Sequence, residues 1–123
     1  MSREEQLRLL KSFSAIADFN ELPEPDESGA TRTASKSGHA AVEFLPDKTV
    51  LFVQTNGLDA LTIAAHAGLL HLFLSELLPN WKQAGRWLNQ ALESRTTQHF
   101  GYSQQRKLIT LRPSDAGVFL EVA

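Results

Sequence analysis

Two histidines, His66 and His71, lie inside the apolar run "IAAHAGLLHLFLSELL" at positions 63–78. Histidine is the side chain whose charge changes near neutral pH, and it serves as general base, acid or metal ligand. A pair on one helix face would make a site. A spacing of five residues, however, separates them by roughly 140° around a helix axis at ~100° per residue. The i, i+4 spacing of zinc-binding helices is absent, as is any "HExxH". Each histidine therefore stands alone. His66 shares a face with Asp59 and Thr62, and His71 shares another with Ser75. Each either contacts a ligand or satisfies its ring nitrogens on a neighbouring backbone or side chain. The second reading is the favoured one, because titratable groups in apolar surroundings mark sites only statistically.

Other chemistries are excluded more simply. The chain has no cysteine, which removes thiol catalysis, disulfides and cysteine-ligated metals. It has no "GxSxG" elbow and no glycine-rich phosphate loop. His39 falls at a strand start and His99 in a loop, with no spacing that gathers them around a metal. No cofactor and no metal is expected.

Charge is distributed unevenly along a chain of net charge −2. Asp18–Glu27 holds five acids and no base, and Lys82–Arg112 holds six bases and one acid. The basic residues Lys82, Arg86, Arg95, Arg106 and Lys107, with Trp87, Phe100 and Tyr102 as stacking groups, suit nucleic acid or an acidic partner. A solvated face offset by the protein's own acidic segment explains them equally and is preferred, because net charge says little about specific partners. The candidate ligand or partner contacts are His66, His71, Arg86, Trp87, His99, Tyr102 and Arg106.

These residues must be carried by a small number of elements. At 123 residues the chain is one domain by length, with room for a real core. Residues 1–20 read as an amphipathic helix opened by a Ser2/Glu5 capping box, with Leu9, Phe13 and Ile16 on its apolar stripe. Residues 21–38, rich in proline, glycine and serine, read as a flexible linker. Residues 39–123 read as a compact α+β domain. There "HAAVEFLPDKTVLFVQT" is a hairpin with a Pro46–Asp47 turn, and "RKLITLRPSDAGVFLEVA" is a second hairpin. Between them lie two helices, Leu58–Leu78, with Asn56 as its N-cap, and the segment from Trp81 capped by Asn80. The segment "TTQHFGYSQQ" is a loop or the start of a strand. The expected fold is a four-stranded antiparallel sheet of two hairpins with a helical pair on one face, in the order α-ββ-αα-ββ.

The Leu58–Leu78 helix sets the main question. It is long enough to span a bilayer, but Asp59, His66, His71 and Glu76 interrupt it, so a membrane span is not expected. Its apolar residues point in nearly every direction, so it must be covered all round. Either its own domain covers it or a second protein does, a homodimer through this helix or another partner. The start "MSREEQLRLLKSF" has no apolar h-region, which points to the cytoplasm. The sequence thus suggests a small non-catalytic interaction domain, of the inhibitor, chaperone or immunity-partner kind. A small-molecule site or modest enzyme using His66 or His71, and a nucleic-acid binder, are the alternatives.

Overall fold

The computed structural model describes residues 1–102 and 106–123. The elements run α1 (Arg3–Phe13), β1 (Thr31–Ala34), β2 (Ala40–Phe44), β3 (Thr49–Gln54), α2 (Ala60–Leu77), α3 (Trp81–Ser94), β4 (Gln98–Tyr102), β5 (Lys107–Pro113) and β6 (Gly117–Val122). The strands make one antiparallel sheet in the order β1-β2-β3-β6-β5-β4. The α+β class holds. The expected four strands are in fact six, and the order is α-βββ-αα-βββ.

The two expected hairpins, β2–β3 and β5–β6, form the four central strands of this sheet, joined by β3 against β6. The two additional strands, β1 in the expected linker and β4 in the segment left open between loop and strand, sit at its edges, and each has a physical reason for carrying a weak signal. β1 falls inside the segment read as a linker. It buries Thr31 and Thr33 rather than large apolar residues, and the Thr33 hydroxyl donates to the Asn20 carbonyl at 2.9 Å. Such a strand shows no apolar alternation for the eye to find. β4 carries only Phe100 and Tyr102 as large apolar residues, both packed toward α3, where Trp87 lies 5.6 Å from Phe100.

The helices cover one face of the sheet. Val42, Phe44, Leu51, Val53, Ile109, Leu111 and Leu120 meet Phe13, Leu69, Leu70, Phe73, Leu74 and Leu88 in a single core. Burying each such side chain contributes roughly 1.5–3 kcal/mol relative to exposure. No helix among the described residues covers the opposite face. Phe52 and Phe119 sit opposite each other there on β3 and β6, ring centroids 4.7 Å apart, with the Arg112 guanidinium 4.4 Å from the Phe119 ring.

The helix ends follow local rules. Ser2 and Glu5 form the expected capping box. The cap of α2 is Asp59 rather than Asn56. Its carboxylate accepts from the Thr62 N–H at 2.7 Å, while Gly57, in a left-handed conformation, turns the chain ahead of it. Asn80 occupies the cap position of α3 without a side-chain cap bond.

Two expected outcomes follow from these contacts. Gly117 lies where β6 meets β3, and a Cβ there would overlap the Val53 carbonyl oxygen and crowd Gln54 Cα. Both obstacles are backbone and cannot swing away, so Gly117→Ala should destabilise by at least about 1–3 kcal/mol, read by urea denaturation. The Asp59 carboxyl is held below its ordinary value of 3.8 by the Thr62 N–H, and next by the Thr62 hydroxyl. A lowered folded value means this contribution is complete at neutral pH and is lost as the pH falls below 3.8 and through the folded value. Asp59→Asn keeps a side-chain acceptor but no titrating charge. It should therefore reduce the acid sensitivity of unfolding while leaving neutral stability nearly intact.

Candidate functional site

α2 is the middle helix of its layer, between α1 and α3 and over β3. Its inner face buries His66, Leu69, Leu70, Phe73 and Leu74. The face turned away from the sheet is open at its first turns and partly covered beyond them, where Ile16 reaches Gly68. Leu61 is 82% exposed, Ala64 is exposed, and Gly68, Leu72 and Ser75 are half-buried along the same side. By length and composition this helix could cross a membrane. Its all-round apolar character is legible in the sequence, but the expected all-round cover is not what the fold supplies.

The two histidines take separate roles, as the helix geometry requires. His66 is 5% exposed. Its Nδ1 lies 2.7 Å from the carbonyl oxygen of Gln54 at the end of β3. A carbonyl only accepts, so Nδ1 carries a proton, and in the neutral ring Nε2 is left as an acceptor. No hydrogen bond to Nε2 is formed among the described residues. His71 points toward α3. Its Nε2 lies 2.8 Å from the Asn89 side-chain oxygen, and its ring meets Trp81 edge-on at 6.3 Å. The lack of a Cβ at Gly85 makes room for this arrangement, since one would stand 3.0 Å from the Trp81 ring and 3.4 Å from His71 Nδ1.

The remaining candidates are dispersed. Arg86 is exposed on α3, and Trp87 is half-buried against Phe100. Tyr102 is buried and donates its hydroxyl to the Asn80 carbonyl. His99 is on the helix-free face of the sheet, its Nδ1 3.0 Å from the Thr110 hydroxyl. Arg106 is exposed with a positive φ of 50°. Two of the three aromatics that could have stacked on bases, Trp87 and Phe100, pack on each other, and Tyr102 packs on Phe100.

One grouping escaped sequence reasoning. His66 lines a cleft of about 570 Å³ between the first turns of α2, the chain after α1 and the β1–β2 turn. His39, Ser35, Ser37, Lys36 and Asp18 share its walls with Ile16, Leu61 and Ala65. The signal lay in the β2–β3 hairpin. Its register pairs Ala40 with Val53, and so sets His39 beside Gln54, whose N–H donates to the His39 carbonyl at 2.8 Å. Gln54 in turn receives His66. Among the described residues no group of three or more acidic, histidine or cysteine side chains is placed to hold a metal ion.

Both histidines are held by single hydrogen bonds, but at different depths. His71→Ala should cost about 1 kcal/mol or less, since water replaces its exposed bond to Asn89. His66→Ala removes a buried ring and the donor to Gln54, and should cost about 2–4 kcal/mol. Chemical denaturation of the two variants checks the order. No protein-family model, curated protein or solved structure matches this chain.

Proposed function

We propose that this protein is a small non-catalytic interaction domain whose recognition surface is the outward face of α2, and that a second copy of the chain occupies that face. The observation that supports this reading is the exposed pair Leu61 and Ala64, continued by half-buried Gly68 and Leu72, along a helix flanked on both sides. Leu61 is 82% exposed, and Ile16, which approaches Gly68, is 37% exposed. Contiguous apolar surface of this kind marks association sites rather than ordinary solvent-facing surface.

The character of the face favours a like partner. It carries no acidic or basic side chain among Leu61, Ala64, Gly68, Leu72 and Ser75, so two copies meet without like-charge repulsion. Ala64 and Gly68, four apart, let helix backbones approach closely, while Leu61 and Leu72 supply bulk to either side. A two-fold axis through such a helix brings the same patch to itself, the commonest form of closed oligomer. An inhibitor, chaperone or immunity-type role is compatible with a domain that works by surface contact. Localisation in the cytoplasm belongs to the same reading.

Sedimentation equilibrium tests it. The native protein should sediment as a dimer. Ala64→Glu, at an exposed helical position, should give a monomer with unchanged far-ultraviolet circular dichroism. Gly68→Ala should raise the stability of the single chain by up to about 1 kcal/mol through helix propensity, yet weaken self-association by blocking close approach. A native protein that stays monomeric over the whole concentration range defeats the proposal.

A further inference from the structure

We propose that the cleft beside His66 receives a short extended peptide segment, which donates a backbone N–H to His66 Nε2 and lays an apolar side chain against Ile16, Leu61 and Ala65. Three observations carry this. First, His66 is 5% exposed and its Nδ1 is committed to Gln54, so Nε2 is left as an acceptor without a donor among the described residues, on a residue that lines the cleft. A buried acceptor left unmatched is costly, and an incoming N–H removes that cost. Second, the cleft is amphipathic. Ile16, Leu61 and Ala65 form an apolar wall, and Ile16 and Leu61 remain 37% and 82% exposed. A ligand that is only polar would leave that wall wet.

Third, the charges at the mouth balance. Asp18 and Lys36 are both exposed, and a bond from the Lys36 N–H to the Asp18 carbonyl, 2.8 Å, holds their backbones together. One charge of each sign selects neither an anion nor a cation, and suits the neutral but dipolar peptide unit. An N–H donor beside a branched apolar group, repeated along a chain, is the chemistry that a peptide offers. The volume of about 570 Å³ exceeds one residue, so a segment of a few residues fits along this open cleft. The proposal rests on His66 rather than on self-association through α2, but Ile16 and Leu61 border both surfaces, so a peptide and a second copy compete for them.

The test uses N-acetyl-leucine methylamide as probe, followed by NMR of the ¹⁵N-labelled imidazoles and the Ile and Leu methyls. The free protein should show His66 with Nδ1 protonated and Nε2 bare. The probe should shift His66 Nε2 and the Ile16 and Leu61 methyls together and saturably, while His71 and His99 stay fixed. N-acetylglycine methylamide should bind about tenfold more weakly or worse, having no side chain to bury. The diester methyl 2-acetoxy-4-methylpentanoate, which keeps the side chain but has no N–H, should leave Nε2 unmoved. Ala65→Leu, or the larger Ala65→Phe, should fill the cleft and abolish the shifts with the rest of the spectrum preserved. Ala64→Glu should retain them, which separates this site from the proposed dimer face. No shift of His66 up to the solubility of the leucine probe overturns the proposal. So does equal binding of the diester, or a free His66 bare at Nδ1.

Discussion

The pairing of β3 with β6 is the constraint on which every other element depends. Six residue pairs, from Thr49 with Val122 to Gln54 with Gly117, join two halves that have no other strand in common. On one side lie α1, β1, β2 and β3, and on the other α2, α3, β4, β5 and β6. The core-facing members of the seam, Leu51 and Leu120, are 0% exposed. On the other face the seam carries the Phe52–Phe119 pair. The close backbone approach at Gly117 allows the seam to run to the end of β3. That end holds Gln54, which anchors His66 and with it the inner face of α2.

The placement of α2 follows from this seam and decides what the molecule can do. A helix over the centre of a sheet is covered beneath by strands and at its sides by neighbouring helices, but a single layer of helices leaves its outer line bare. An amphipathic helix meets that geometry with polar residues outside. α2 instead keeps leucine, alanine and glycine there. Leu72 still packs on the core from this side and Gly68 admits Ile16, whereas Leu61 and Ala64 stay exposed, and it is these that the proposed association would cover.

Much of this architecture is legible in the residues, and the failures are instructive. Alternation in "AAVEF", the β-branched and aromatic run "TVLFV", apolar on both faces as suits a central strand, and the Pro46–Asp47 turn locate β2 and β3. The Ser2/Glu5 box locates α1, because its chemistry is local. β1 escapes notice and β4 stays ambiguous between loop and strand because an edge strand needs less apolar surface, and threonine hydroxyls or a glycine can serve there. For the site, helix geometry alone separates His66 from His71, since five residues along a helix do not return to the same face. The neighbour of His66 lies elsewhere, in the hairpin that sets His39 beside Gln54. No spacing along the chain records that proximity, which arises only when α2 settles on β3. Likewise the sequence shows that α2 is apolar all round, while the bare side depends on where α1 and α3 come to rest.

The seam also imposes an order of events during synthesis. β3 is complete at Gln54, but its partner begins only at Gly117. On a growing chain the first three strands form a meander with local turns, and the far edge of β3 stays unpaired until the last strand emerges. That edge carries Val50, Leu51, Phe52 and Val53, β-branched and aromatic residues of the kind that recruit foreign strands. The nascent half-sheet is thus most exposed to misassociation just before the fold closes. The two helices made in between delay the partner of β3, and α2 joins α1 over the half-sheet while it waits.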